Sequence, residues 1–348
     1  MQKKKSEPKA RIVIARILAV LISVIALFML GVRLYFRIPV QSYYKASDKA
    51  FAIPGLSSGM VPQGLDFVES EDLYLVGGYQ NDGSPSRIYL VDRSSGKENG
   101  YVILADENGN GISPHAGGLA VKDDYLFVAG DEDPFMYVFS MQDVLSSGNG
   151  GYIKTLGKFN TVFGTEEIRA DFICAAEDKL IVGEFYRDPD YLTPDSHTSH
   201  NPSGDESHAV ALCFRYGQGD SSCFGLEKQP FEAYALPKLT QGIAVHEGLI
   251  WTSESYALDF STVKRFDIRN VEPFSVLPVT GGTIPLYALD SSTFSGSIKL
   301  PPMAEEIIFV DGKMLTMCES ASLKYIFGNL IGGRWCYETD VSDVTFGN

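Results

Sequence analysis

Gln63, His115, Arg169, Asp171, Gln241, Glu305 and Glu306 each stand at or beside the head of a short apolar run, although most of the chain separates the first from the last. Amides, a histidine and carboxylates gathered in one place can hold a polar ligand. Paired carboxylates can also move a proton. A second set closes later apolar runs: Glu184 after Gly183, Glu254 after Ser253 and Glu319 after Cys318, with Asp131 and Glu132 near the equivalent place in their own segment. Converging carboxylates hold a cation or raise one another's pKa. Against that, Lys264 and Lys324 follow on the next predicted strands, and cross-strand pairing with Glu254 and Glu319 is the favoured reading.

Other arrangements are weaker. His115 lies in Pro114-His115-Ala116-Gly117-Gly118, where the glycines let a ligand approach the backbone. His197, His200 and His208 share the segment 187–208 with Asp195 and Asp205. That Ser/Pro-rich stretch reads as a solvated loop rather than a preorganised metal site. The chain has no P-loop, G-x-S-x-G elbow, H-E-x-x-H or dinucleotide fingerprint, and 106–111 lacks the ligand spacing of an EF-hand. The set suits holding a ligand better than cutting one, so the favoured reading is a binding protein with no cofactor. The alternative is a hydrolase or lyase that uses the carboxylates, with Ca²⁺ as its possible ion.

The elements that must position these residues recur five times. Gln63-Gly64-Leu65, Gly117-Gly118-Leu119, Ala170-Asp171-Phe172, Gln241-Gly242-Ile243 and Glu305-Glu306-Ile307 each open an apolar run, then a polar turn, then a second run. From Leu65 the copies fall 54, 53, 71 and 64 residues apart. Short strands at such a period predict an all-β propeller with one sheet per repeat. Five blades are the first reading and six the second, because the long third and fourth repeats have room for another. The first blade is expected at 65–68, 73–77, 87–91 and 101–104, and the second at 119–121, 126–129, 136–139 and 152–156. In the fourth, 263–268 and 286–289 compete for the third strand. In the fifth, 307–310, 314–318, 323–327 and 334–337 are expected, with 46–53 as a closing strand that covers the exposed edge. Inner strands that begin around one channel would bring the first residue set to a common mouth.

Ahead of the repeats, Ile12–Val32 is apolar over 21 residues, broken only by Arg16 and Gly31. About 20 such residues cross a bilayer. Lys3, Lys4, Lys5, Lys9 and Arg11 precede the run, so the positive-inside rule predicts a cytoplasmic N-terminus and an exported body. The division is a cytoplasmic tail at 1–11, a single anchor at 12–32, a linker and closing strand at 33–58 and a propeller at 59–348, at the cell membrane with the propeller outside. A cleaved signal peptide is the less favoured reading. Residues 1–40 carry net +7, so the remainder carries −22 of a chain total of −15. A body this acidic repels nucleic acid, which leaves the membrane and an extracellular ligand or protein as partners.

All five cysteines, Cys174, Cys213, Cys223, Cys318 and Cys336, follow the anchor. Pairing of Cys213 with Cys223 and of Cys318 with Cys336 across strands, and five buried thiols, are both open.

The phrase Gln/Gly/Leu or Ile, the strand pairs and turns such as Val91-Asp92-Arg93-Ser94-Ser95-Gly96 resemble, over about 59–340, the broad propeller group of lactonases and strictosidine synthases. Members with a catalytic metal hold calcium at the channel through Glu, Asn and Asp. Here Gln63 stands where Glu is expected and no Asn opens an inner strand, so the resemblance leaves only Asp171, Glu305 and Glu306 for that part.

Overall fold

Each repeat becomes one antiparallel sheet, because its apolar runs alternate with turns too short for any other connection. The structure, a computed structural model, describes residues 7–130, 133–325 and 333–347. Five sheets stand around a central axis as a five-bladed β-propeller. Blade 1 is Met60–Val68, Leu73–Gln80, Arg87–Asp92 and Lys97–Ala105. Blade 2 is Leu119–Lys122, Tyr125–Ala129, Phe135–Ser140 and Gly157–Asn160. Blade 3 is Phe172–Ala175, Lys179–Gly183, Ala209–Arg215 and Glu232–Leu236. Blade 4 is Thr240–His246, Leu249–Glu254, Ser261–Phe266 and Phe294–Leu300. Blade 5 is Ala304–Val310, Lys313–Cys318 and Trp335–Thr339, closed by Ser47–Ala52 from the N-terminal side.

The closing strand runs antiparallel to Trp335–Thr339, with Ser47 opposite Thr339 and Ala52 opposite Trp335. It covers the edge that the last sheet would otherwise expose. Neighbouring sheets press apolar faces together. Leu75, Ile88, Leu119, Leu126 and Val128 fill the seam between blades 1 and 2, and Trp251, Val263, Ile307 and Met314 the seam between blades 4 and 5.

Two strand expectations are corrected and one open choice is resolved. The stretch at 152–156 does not complete blade 2. Gly151–Lys154 instead joins the rim of blade 1 in parallel, and Gly157–Asn160 takes the blade 2 position. The competition in the fourth repeat is settled for Ser261–Phe266, while Gly282–Ala288 crosses to pair in parallel with Glu232–Leu236 of blade 3. In the fifth, residues 323–325 form a turn and Trp335–Thr339 is the third strand; the rest of the expected 323–327 strand lies outside the described residues. Short parallel additions at a rim carry no turn signal of their own, so a repeat count cannot assign them.

Before the closing strand, and before a short helix at Gln41–Lys45, lies a long helix, Glu7–Arg37, of 31 residues. At 1.5 Å per residue it is about 46 Å long, more than the hydrocarbon thickness of a bilayer. It is long and apolar enough to cross a membrane, and none of its apolar window is buried against the propeller.

Candidate functional site

In three blades the repeated phrase is a β-bulge. The pairing of the inner strand slips between Pro62 and Leu65, between Thr240 and Gly242, and between Ala304 and Ile307. A bulge re-aims side chains at the end of a ladder. Here it turns Gln63, Gln241 and Glu305 toward one cavity at the channel mouth. The next position faces the adjacent blade. A Cβ on Gly242 would lie 2.8 Å from Cα of Glu306, and one on Gly118 would lie 2.4 Å from the Ile173 nitrogen. The inner strands approach too closely around the axis for a side chain at Gly118 or Gly242, and this is why the phrase keeps a glycine in those repeats.

The mouth cavity has a volume of about 480 Å³. Besides Gln63, Gln241 and Glu305 it is lined by His115, Arg169, Asp171 and Glu319 from the two sequence sets. At its floor the Glu305 carboxyl is 4% exposed and has no hydrogen-bond partner among the described residues. Burial, and then the neighbouring Glu319 charge, push its pKa well above the carboxylate range. Gln63, 3% exposed, likewise leaves its amide nitrogen without a partner among the described residues.

Glu319 is differently placed. It accepts the Tyr79 hydroxyl at 2.9 Å, and Tyr325 lies against the same carboxylate. Burial and that carboxylate together drive both phenols far up. Lys324 Nζ also reaches the Tyr79 hydroxyl and sits 4.8 Å from the centre of its ring. The expected cross-strand pair of Lys324 with Glu319 is therefore replaced by a cluster in which tyrosines separate the two charges. On the opposite wall Asp171 Oδ2 accepts the Phe185 amide at 2.5 Å, and Arg169 donates to the Phe185 carbonyl at 3.0 Å.

Three residues of the sequence sets lie away from this cavity. Glu306 points across the axis beneath the mouth and accepts the backbone amides of Leu65 at 2.5 Å and Leu119 at 3.1 Å. Glu184 bonds His197 Nδ1 at 2.7 Å and the Val210 amide at 3.0 Å. Glu254 pairs with Lys264 at 2.7 Å, as the cross-strand reading expects. The end-of-strand glutamates therefore do not converge, and Asp131 and Glu132 lie outside the described residues. His197 corrects the loop reading. It is 2% exposed and pins its segment to blade 3, whereas His200 stays at the surface.

Several lining residues escape the sequence reading: Tyr79, Phe185, Tyr256 and Tyr325. A signal for them exists. All four lie at or beyond the end of a second strand: Tyr79 is next to last in Leu73–Gln80, Phe185 comes directly after Glu184, Tyr256 two after Glu254 and Tyr325 seven after Cys318. Metal binding finds no support from this geometry. Asp171 is engaged by a backbone amide, Glu306 lies below the mouth on two others, and no group of three or more His, Cys, Asp or Glu is placed to hold an ion among the described residues. The three acidic residues that the resemblance would give to calcium do not form one donor set.

No protein-family model matches the chain, and no curated protein sequence matches it. Solved structures share the architecture distantly. A glutaminyl cyclase from Myxococcus xanthus aligns over 84% of this chain and 94% of its own at 12% identity, with a TM-score of 0.38. A PQQ-bound aldose sugar dehydrogenase from Streptomyces coelicolor aligns over 78% and 76% at 14% identity, with a TM-score of 0.41. A putative 6-phosphogluconolactonase from Bacteroides fragilis aligns over 74% and 77% at 13% identity, with a TM-score of 0.36. These likenesses are distant, and the five-blade architecture stands on the chain's own sheet order.

Proposed function

We propose that this chain is a membrane-anchored propeller, its body outside the cell, that binds a small ammonium-bearing ligand at the channel mouth. The observation that carries the reading is Glu305: a buried carboxyl that faces a cavity of ligand size without a hydrogen-bond partner among the described residues. Ionised alone, it would be costly; beside a cationic group it gains a counter-ion. Aromatic faces on the cavity wall favour the same ligand chemistry. The unpartnered Gln63 amide adds a polar contact that orients whatever enters.

A second reading has an observation of its own. A carboxyl pushed well above its usual range keeps its proton to higher pH than an ordinary carboxylate and can act as a general acid. Under that reading the bound ligand is hydrolysed or cleaved, with Glu305 as the proton donor.

Calorimetry of the full chain with methylammonium and choline tests both. Because binding expels the Glu305 proton, affinity is expected to rise with pH, and Glu305→Gln to weaken it at least tenfold. Affinity that is indifferent to Glu305→Gln, or that falls with rising pH, sinks the reading. Turnover of lactone or ester substrates that disappears in Glu305→Gln would favour the second.

A further inference from the structure

The blade order fixes which loops share a face. Inner strands run away from the mouth, second strands return to it, and so the loops after second strands are mouth loops. Phe260 closes such a loop in blade 4. It precedes Ser261, whose hydroxyl accepts the amide of Ala304 at 3.0 Å, next to Glu305. The foot of the N-terminal helix rests there: the rings of Tyr35 and Phe36 lie 6.2 and 5.8 Å from Phe260. From that level the chain moves down the outside of the propeller. Val40 is buried, Tyr43 bonds Thr316, and Ser47 meets Thr339 at the end remote from the mouth. The helix thus joins the body from the mouth side, and residues 12–31 are exposed along its length.

The same face carries unpartnered apolar side chains. Leu192, Leu258 and Leu323 each tip a mouth loop, of blades 3, 4 and 5, and are 58%, 51% and 61% exposed. On the opposite floor the exposed aliphatics Leu145 and Val271 are less so, at 40% and 39%. Other exposed apolar residues, Tyr152, Leu156 and Val276 among them, lie out on the rim.

We infer that the mouth face rests on the bilayer that the N-terminal helix crosses, with Leu192, Leu258 and Leu323 dipping into the lipid interface. The occupant of this apolar face is lipid because the helix foot and the leucines are on one side of the body, and the helix is the element that reaches the membrane. The lipid is zwitterionic in preference to anionic, since the body carries −22 and Asp188, Asp190 and Asp259 share the mouth loops. The cavity then opens toward the membrane, and its ligand arrives along the interface. The inference rests on the helix spanning the membrane, as proposed above.

Leu192→Trp, Leu258→Trp and Leu323→Trp in the full chain, with Leu145→Trp as the floor control, test it in phosphatidylcholine nanodiscs that contain brominated lipid. Native Trp251 and Trp335 set the background. The expected result is at least twofold quenching of the added signal at the three mouth positions and none at position 145. Quenching at 145, or at none of the four in a chain that co-purifies with the discs and resists carbonate extraction, overturns the mouth-down placement while leaving the anchor intact. A chain that alkaline carbonate releases overturns the anchor and the placement together.

Discussion

The carboxylate of Glu306, in the last blade, accepts the backbone amide of Leu65, in the first, at 2.5 Å. The same group takes the Leu119 amide of the second blade at 3.1 Å. One side chain therefore spans the closure of the ring, in the position where three other repeats keep Gly64, Gly118 and Gly242 and the third repeat carries Asp171. Its pKa is pushed well up by burial, an effect the amide donors oppose without cancelling. Glu306→Ala leaves two buried amides without an acceptor at about 1–3 kcal/mol each, so a loss of about 2–6 kcal/mol is expected. Denaturant unfolding of the purified chain measures it. A change below about 1 kcal/mol would show that the amides find other partners.

Stability should fall as pH rises from acid toward neutral. Glu305 and Glu306 both have folded pKa values well above their unfolded ones, so between those values the folded chain holds more protons. Their contribution is fully present below about pH 4.3 and is lost as pH climbs toward the folded pKa, at up to about 1.4 kcal/mol per pH unit for each group. Exposed carboxylates held low by hydrogen bonds, such as Asp92 and Asp106, titrate below this window. Glu305→Gln should flatten the slope over the range from the ordinary carboxylate pKa up toward the raised folded one. Unfolding midpoints measured across that range decide it, and a stability that rises with pH would contradict the assignment.

His197 and Glu184 hold the 187–208 insertion to blade 3 through a buried contact of 2.7 Å. His197→Ala leaves the Glu184 carboxylate with only the Val210 amide and opens space beside Phe163. A loss of about 2–3 kcal/mol is expected, together with faster proteolysis within 187–208. Equal cleavage rates for variant and parent would place the stability of that segment elsewhere.

All five cysteines are free thiols. Cys213 lies inside Ala209–Arg215 opposite Ile181 and Glu232, while Cys223 belongs to a separate small hairpin, so of the two open readings the bridge between them does not form. Cys318 and Cys336 sit on adjacent strands but remain unbridged. Alkylation of the denatured, unreduced chain should label five thiols, and a reductant should leave the melting midpoint unchanged. Fewer than five labels would reveal a disulfide.

Lys264 supplies the counter-charge of a Glu254 carboxylate whose pKa burial raises. Lys264→Met should destabilise the chain by about 1 kcal/mol, since the pair is partly open to solvent on the lysine side. The double variant with Glu254→Gln should recover most of the loss, which a double-mutant cycle reads directly.

Much of this molecule is legible in the order of its residues. The phrase that opens the inner strands is local chemistry: in three blades a polar residue re-aimed by a bulge, in three a glycine where blades crowd, then in all five an apolar run. Those are short-range steric and hydrophobic requirements, so the five-blade rhythm and the apolar N-terminal helix can be read from the chain directly. The closing stretch before the first repeat was legible for the same reason, because a propeller leaves one edge to cover. What a glutamate does was not legible. Glu305 and Glu306 are neighbours in sequence, yet one faces an open cavity and the other ties two blades together. Glu184, Glu254 and Glu319 end equivalent strands, yet they bond a histidine, a lysine and a tyrosine in turn. Local pattern sets which way a strand runs and which face it buries. The partner of a buried charge is set by residues that arrive from other blades, and only the closed ring of sheets brings those within hydrogen-bonding distance.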